Sequence, residues 1–379
     1  MIQTIPLPNV HGRIDHFDVD VKGRRLFMSA LGNNTLEVFD LHSNKLSHTI
    51  RGLREPQGTT YVPKADRIFV ANGGDGTVRM FDGSTYNLLK TVQLSSDADD
   101  SRYDPATNQV FVGYGEGADA GIAILDGATG DLAGSIKLPD HPESFQLEEK
   151  GNKIYVNIPS ANNIVDVVDR STRKIVATWT IGAARGNFPM ALDEADHRLL
   201  ITCRTPAETL ILDTQSGNII ARITSVNRAD DAWYDAANKR VYISGGGGFV
   251  TVIEQQDANH YREVAQVKTA DGARTSFLVP ELNRFFLGVW GRSGHPEELQ
   301  IYELQQLRKK IGSMAARPPF SGRHPAATPA RQRAGGPGGG RAAAGIRLAA
   351  THARSAQSAS KLPRKDFAPA AQGERSFHY

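Results

Sequence analysis

The strongest constraint on the fold is a repeat that occurs seven times between residues 14 and 304. Each unit contains a short apolar strand, such as RRLFMSA, DRIFVAN or KRVYISG, followed by a Gly- or Asn-bearing hairpin. The aligned apolar positions, spaced by 42, 42, 44, 45, 42 and 44 residues, are Leu26, Ile68, Val110, Ile154, Leu199, Val241 and Phe285. A period of this length built from strands is typical of a β-propeller.

Each unit also contains further strands. The third strand of every unit closes with an acid, at Asp40, Asp82, Asp126, Asp169, Asp213, Glu254 and Glu303. After most of these acids comes a turn and another strand, such as KLSHTI. A helical repeat of similar length would need two amphipathic helices per unit, and the Gly-broken β-branched runs do not supply them. We therefore predict an all-β fold, a seven-bladed β-propeller with four-stranded blades.

The two ends of the repeat region complement each other. The seventh unit stops after its third strand, ELQIYEL, at residues 298–304. Residues 3–8, QTIPLP, resemble the segments KTVQLS and GSIKLP that close two later units. We predict that this N-terminal strand completes the last blade and closes the ring, which removes an exposed sheet edge. The predicted propeller domain spans residues 1–307.

The segments IFVAN, IYVNI, VYISG and VVDRSTRKIVATW resemble the YVTN-type β-propeller repeat family, the YncE-like proteins, over about residues 3–304. The resemblance implies the propeller fold much more strongly than it implies a chemistry, and it implies a periplasmic or extracellular location. The first ten residues, however, are too weakly apolar and too poor in basic charge for an export signal. We expect either a true start upstream of Met1 or a cytoplasmic protein.

Charge is divided unevenly along the chain. Residues 308–379 hold 14 Lys and Arg against two Asp and Glu, so residues 1–307 hold 30 basic and 39 acidic residues. The basic segment is rich in Ala, Arg, Gly, Pro and Ser and is predicted to be a disordered tail. It could be a solvated extension, an out-of-frame translation of a gene end, or an arm that touches nucleic acid. We expect nucleic-acid binding only through this tail, no membrane span and a monomer.

Several motifs with possible chemistry have simpler interpretations. The glycine clusters GGDGT, GYGEG and GGGG fall between second and third strands, where hairpin turns need positive φ. The segment DADDSRYDPATN resembles a calcium loop, but Arg102 occupies the position that needs glycine. Cys203, the only cysteine, can form no internal disulfide and is predicted to be a buried apolar residue.

Polar residues cluster where each unit leads into its innermost strand. Propellers place ligands at the mouth of the central channel, which these segments build. Counting backwards from the seven aligned positions predicts a ligand-binding mouth made by Asp15, His16, Gln57, Asp99, Asp100, Arg102, His141, Glu143, Arg185, Asn187, Asp230, Asp231 and Arg274. The competing interpretation is that these acids cap loops and pair with arginines where blades meet.

The chemistry of these residues leaves two functions open. No nucleophile elbow or zinc-protease motif occurs, so we predict a non-catalytic protein that binds a small ligand, a peptide or a protein partner. The alternative is a metal-dependent hydrolase of lactonase type, with calcium or zinc held by Asp100, His141 and Glu143. There the metal would polarise a carbonyl, and Asp100 or Glu143 would act as the base.

Overall fold

The computed structural model describes residues 1–291 and 295–305, and these residues belong to one compact unit. The described residues form seven four-stranded sheets, each an antiparallel blade. The prediction of a seven-bladed propeller is confirmed. The predicted tail at 308–379 lies outside the described residues.

The first three blades each run from an innermost to an outermost strand. Blade 1 comprises β2 (Phe17–Asp20), β3 (Arg25–Ala30), β4 (Thr35–Asp40) and β5 (Lys45–Ile50). Blade 2 comprises β6 (Pro56–Val62), β7 (Arg67–Asn72), β8 (Thr77–Asp82) and β9 (Leu88–Gln93). Blade 3 comprises β10 (Ser101–Asp104), β11 (Gln109–Tyr114), β12 (Gly121–Asp126) and β13 (Leu132–Lys137).

The next three blades follow the same order. Blade 4 comprises β14 (Phe145–Leu147), β15 (Lys153–Ile158), β16 (Ile164–Asp169) and β17 (Lys174–Thr180). Blade 5 comprises β18 (Arg185–Asp193), β19 (Arg198–Thr205), β20 (Ala207–Asp213) and β21 (Ile219–Thr224). Blade 6 comprises β22 (Ala229–Asp235), β23 (Arg240–Gly245), β24 (Phe249–Gln255) and β25 (Tyr261–Lys268).

Blade 7 takes its strands from both ends of the described chain. It comprises β26 (Ser276–Val279), β27 (Arg284–Val289), β28 (Glu298–Glu303) and β1 (Gln3–Pro6). Strand β1 pairs antiparallel with β28, so that Ile5 faces Leu299 across the ladder. The predicted closure of the ring by the N-terminal strand is therefore confirmed, although the strand ends two residues earlier than predicted.

The core lies between neighbouring blades. Each blade interface has its own cluster of buried apolar side chains, and the cluster between blades 7 and 1 contains Ile5, Phe17, Leu26 and Leu299. The second and third strands are buried on both faces, whereas the outermost strands are mostly exposed, as in β9. This explains why the second strands read as apolar runs and mark the repeat so clearly.

The acid that closes most third strands has a local structural role. Asp40 accepts hydrogen bonds from the backbone N–H groups of His42 and Ser43, and Asp82 does the same for Ser84 and Thr85. Such side-chain bonds stabilise the turn that leads into the outermost strand.

Helix is scarce in this fold. The described residues contain three 3₁₀ turns, at Leu31–Asn33, Gly117–Asp119 and Pro280–Leu282. Within residues 1–291 and 295–305, none of the helical segments is long and apolar enough to cross a membrane.

Candidate functional site

One mouth of the central channel is formed where the chain enters the innermost strands of the seven blades. Several predicted residues lie inside these strands instead of in loops, namely Gln57, Arg102, Arg185, Asn187, Asp230 and Asp231. In blades 2, 5 and 6 the pairing register shifts beside them, between Pro56 and Thr59, between Asn187 and Met190, and between Ala229 and Asp231. Such bulges redirect side chains out of the regular alternation of a strand.

Three blades meet at Asp230. Its carboxylate lies 2.5 Å from the Arg204 guanidinium of blade 5 and 2.9 Å from Arg274 Nε, which precedes blade 7. The Arg204 guanidinium also stacks 3.4 Å from the centroid of the Phe188 ring. Because the side chains of all three charged residues are less than a fifth exposed, this ion-pair bridge is mostly shielded from solvent screening.

Blade 1 contributes a charged group just before β2, with the buried Asp15 at its centre. Arg13 Nη2 lies 2.6 Å from Asp15 Oδ2, and His16 Nδ1 lies 2.8 Å from Asp15 Oδ1. Burial opposes the ionisation of Asp15, but Arg13 and His16 outweigh it and hold the pKa of Asp15 well below its usual value. Asp15 is therefore a fixed negative charge at the mouth.

His16 connects blades that are not neighbours in the ring. Its Nε2 atom lies 3.9 Å from Asp100 Oδ1, although Asp100 belongs to blade 3. Burial lowers the pKa of His16, but Asp15, Asp100 and Asp231 outweigh burial and raise this pKa well above its usual value. A protonated imidazole is thus surrounded by acids from blades 1, 3 and 6.

The deepest acids at the mouth have different partners. Asp100 pairs with Arg102 of its own blade, and its side chain is 3% exposed. Asp231 accepts a hydrogen bond of 2.6 Å from the backbone N–H of Ser276 on blade 7. Burial raises the pKa of Asp231 to about 7, even though His16 acts in the opposite direction.

A second group of charges lies between blades 3 and 4. His141 Nδ1 lies 2.7 Å from the Gly115 carbonyl oxygen, and His141 Nε2 lies 3.6 Å from Asp99 Oδ2. Burial lowers the pKa of His141, but Asp99 raises it to about 10. Gln57 of blade 2 donates a hydrogen bond of 2.8 Å to Asp97, whose carboxylate also lies 3.8 Å from His141.

Glu143 lies at the same mouth, where Asp99, His141, Asp230 and Arg204 all affect its ionisation. Burial, followed by Asp99, raises the pKa of Glu143 to about 8. Its position is fixed by the backbone, because Glu143 N donates a hydrogen bond of 3.0 Å to the Asn157 carbonyl oxygen.

Two predicted residues do not join these clusters. Arg185 is exposed and donates hydrogen bonds to the carbonyl oxygens of Gly182 and Ala184. Asn187 is buried and donates hydrogen bonds to Asn157 Oδ1 and to the Ile164 carbonyl oxygen, so it connects blade 5 to blade 4. Both bonding patterns are structural.

Three residues of the mouth were not predicted, namely Arg13, Asp97 and Arg204. Arg13 and Asp97 each lie two positions upstream of a predicted residue, inside segments that the spacing had already marked. Arg204 lies at the end of β19, where β19 pairs with the start of β18 through Arg185 and Thr205. The end of a second strand lies beside the start of the innermost strand, and this geometry is the signal that could have identified Arg204.

The residues predicted to hold a metal are divided between the two groups. Asp100 faces Arg102 and His16, whereas His141 has Asp97 and Asp99 as its carboxylate neighbours within 4 Å. Across residues 1–291 and 295–305, no set of three or more His, Cys, Asp and Glu side chains has an arrangement that could hold a metal ion.

A groove also lies away from the channel mouth. It has a volume of about 390 Å³ and is lined by Leu94 and Ser95, which follow blade 2, and by Tyr114, Leu132 and Lys137 of blade 3. It does not bring together charged side chains from several blades. The channel mouth, where such side chains do converge, is therefore the stronger candidate for a functional site.

The ring of seven four-stranded antiparallel blades defines the chain as a seven-bladed β-propeller. The propeller is YncE-like, with 25% identity over 188 residues to Uncharacterized protein YncE of Salmonella typhi and of Salmonella typhimurium. The match covers 48% of this chain and 52% of each relative, so the chain spans about half the length of the curated relatives it matches. No protein-family model matches the chain.

A solved structure supports the same architecture. Hydrazine synthase of Kuenenia stuttgartiensis superposes with a TM-score of 0.68 and 15% sequence identity, covering 79% of this chain and 97% of that chain. A likeness at this identity shows the fold alone, because one propeller fold supports many unrelated functions.

Proposed function

We propose that this propeller is a non-catalytic binding protein that takes a small polar molecule or a peptide segment into the channel mouth. The observation that supports the proposal is the convergence of charged side chains from separate blades, such as His16 of blade 1 with Asp100 of blade 3. Six further ionisable residues from blades 4 to 7 and their entry segments lie at the same mouth, namely His141, Glu143, Arg204, Asp230, Asp231 and Arg274.

Stability alone is a poor reason for this arrangement. Removing charges from water has a free-energy penalty of several kcal/mol per ion, and well-packed apolar residues of similar volume are often at least as stable. Several buried polar atoms at the mouth also lack a hydrogen bond, among them Arg13 Nε, Asp99 Oδ1 and Asp100 Oδ2. Unpaired buried atoms of this kind are the groups that a bound polar molecule would satisfy.

The test is a thermal-unfolding screen of the full chain against probes of opposite charge. Butylammonium, butyrate, inorganic phosphate and calcium chloride are each titrated into the wild-type protein and into the variants Asp230→Asn and Asp131→Asn. Asp131 is an exposed residue in a turn on the outer side of blade 3, so its variant is the control.

We expect at least one probe to raise the melting temperature of the wild type and of Asp131→Asn, and to lose most of its effect on Asp230→Asn. A ligand present at about 100 times its Kd stabilises the folded state by about 2.7 kcal/mol, which such a screen detects. If none of the probes stabilises the wild type, or if both variants respond alike, the mouth is not the binding site.

A further inference from the structure

The groove between blades 2 and 3 exists because the third strand of blade 3 carries two small residues. Gly121 and Ala123 of β12 lie directly opposite Lys137 and Ser135 of β13, and the latter two line the groove. Paired residues share one face of a sheet, so Gly121 and Ala123 lie on the face that borders the groove. The pairing registers place larger side chains at the two corresponding positions of the other six blades, namely Thr35 and Glu37, Thr77 and Arg79, Ile164 and Asp166, Glu208 and Leu210, Phe249 and Thr251, and Glu298 and Gln300.

Blade 1 shows what a larger side chain does at this place. Glu37 lies in the corresponding gap between blades 7 and 1, where its carboxylate accepts hydrogen bonds from the hydroxyls of Thr35 and Thr49. The cavity left beside it measures about 60 Å³, against about 390 Å³ for the groove between blades 2 and 3. The larger volume lies in the usual range of small-molecule sites, about 300–1,000 Å³.

Three polar groups line the groove without a partner. Within residues 1–291 and 295–305, the Lys137 ammonium group, the Tyr114 hydroxyl and the Asp119 carboxylate make no hydrogen bond or ion pair. Gly121 leaves room for the Tyr114 hydroxyl, because a methyl group at residue 121 would lie 3.2 Å from its oxygen. The groove thus presents one cation, one anion and one hydroxyl, and its two charged groups do not pair with each other.

The hairpin that carries Asp119 is held in place from both sides. Gly117 N donates a hydrogen bond of 2.9 Å to the Asp140 carboxylate, which lies beyond β13 in the chain. The Ser95 hydroxyl, which follows blade 2, donates a bond of 3.3 Å to the Asp119 carbonyl oxygen. Because the hairpin is already fixed, a ligand in the groove would lose little affinity to the ordering of this segment.

Apolar side chains border the same groove. Leu94 is partly buried against the core cluster between blades 2 and 3, and Leu132 is 53% exposed at the start of β13. Lys137 ends β13 and Tyr114 ends β11, so both lie at the far end of the groove from Leu132. The groove therefore combines a charged end with an apolar wall.

We propose that this groove binds a free α-amino acid with an apolar side chain, whose carboxylate is held by Lys137 and Tyr114 and whose ammonium group is held by Asp119. A zwitterion pairs with both charges of the groove, whereas a ligand with a single charge pairs with one and is repelled by the other. The apolar side chain covers Leu94 and adds to the affinity by removing its surface from water. The site is separate from the channel mouth, so this inference goes beyond the proposed function and does not depend on it.

The experiment titrates the full-length protein near neutral pH with four related compounds and measures binding by ligand-observed NMR. L-Phenylalanine has both charges and an apolar side chain. N-acetyl-phenylalanine lacks the ammonium group, phenylalaninamide lacks the carboxylate, and glycine lacks the apolar side chain. We expect phenylalanine to bind at least about five-fold more tightly than each of the other three compounds.

Three variants locate the site. Lys137→Gln should weaken phenylalanine binding by about five-fold or more, because it removes the cation that faces the carboxylate. Lys268→Gln is the matched control, since Lys268 is exposed and holds the corresponding position of β25, opposite Phe249 instead of Gly121. This control should bind within about two-fold of the wild type. Ser135→Phe changes an exposed residue and should abolish binding, because it fills the groove without removing a charge.

Several results would overturn the assignment. Phenylalanine could fail to bind, or could bind no more tightly than N-acetyl-phenylalanine or phenylalaninamide. Lys137→Gln and Lys268→Gln could also bind it equally well. If binding survives in Ser135→Phe and is lost in Asp230→Asn, phenylalanine occupies the channel mouth, which overturns the groove site and supports the proposed function. If binding survives in Asp230→Asn and is lost in Ser135→Phe, the groove site stands whether or not the channel mouth binds a ligand.

Discussion

Arg274 Nε lies 2.9 Å from Asp230 Oδ2, and this ion pair connects the seventh blade to the sixth at the channel mouth. The other oxygen of Asp230 is engaged by Arg204 of the fifth blade at 2.5 Å. One carboxylate thus compensates two guanidinium groups that come from different blades. Removing it would leave two cations facing each other in a mostly buried place.

We therefore expect Asp230→Asn to lower the free energy of unfolding by about 3 kcal/mol, the usual consequence of removing one partner from a buried ion pair. The matched control is Asp271→Asn, because Asp271 pairs with Arg228 at 2.7 Å but both side chains are about half exposed. Exposed pairs contribute about 0–1 kcal/mol. Urea titrations measure the free energy of unfolding of both variants. Similar decreases for the two variants would contradict the conclusion that the ion pairs of Asp230 stabilise the fold.

The stability of the ligand-free protein should fall as the pH rises from about 4 through 8. Burial raises the pKa of Asp231 to about 7 and that of Glu143 to about 8, so the folded state keeps protons that the unfolded state releases near pH 4. The stability due to these protons is fully present below about pH 4 and is lost as the pH rises through 7 and 8. Burial lowers the pKa of His141, but Asp99 outweighs burial and raises this pKa to about 10. The stability that the protonated imidazole contributes is therefore also lost as the pH rises, between about pH 6.5 and 10.

This dependence can be assigned to Glu143 by one substitution. We expect Glu143→Gln to be more stable than the wild type by about 5 kcal/mol near pH 9 and by only about 1 kcal/mol near pH 5. Glu149→Gln should follow the wild-type curve at every pH, since Glu149 is exposed. Urea titrations across this range provide the curves, and a Glu143→Gln curve parallel to that of the wild type would be the contrary result.

The sequence predicted the blades well because their signal is local. The seven aligned positions from Leu26 to Phe285 all lie at the second residue of a second strand, where burial on both faces demands an apolar side chain. The closure of the ring was also predictable, because a missing fourth strand at residue 304 and a surplus strand at residue 3 can only complement each other in a circle.

The composition of the mouth was harder to predict, because spacing gives the place of a residue and not the direction of its side chain. Asn187 lies at a register shift and points between blades 4 and 5, and Arg185 stays at the surface. Arg204 enters from the end of a second strand because its side chain is long enough to cross Phe188 and reach Asp230. Counting along innermost strands alone could not find it.

Because β1 closes the ring, its buried side chains should contribute to the free energy of unfolding. Ile5 is 5% exposed and packs in the cluster between blades 7 and 1, whereas Ile2, three residues earlier, is 51% exposed. Ile5→Ala should lower the free energy of unfolding by about 2–4 kcal/mol, because it leaves a cavity beside Leu299. Ile2→Ala should change it by less than about 0.5 kcal/mol. Equal effects in urea titrations would show that β1 does not stabilise the ring.

Cys203 reports on the opening of the interface between blades 4 and 5. Its side chain is fully buried beside Ile201 and Leu210, and burial, followed by Glu208, raises the pKa of its thiol to about 12. Because the thiolate is the reactive form, we expect Ellman's reagent to leave the native protein unmodified and to label one thiol in concentrated urea. A Ser43→Cys variant, with its new thiol in the exposed turn after β4, should react at once and serves as the positive control. Rapid labelling of native Cys203 would mean that this interface opens far below the free energy of global unfolding, contrary to the continuous packing that the structure shows there.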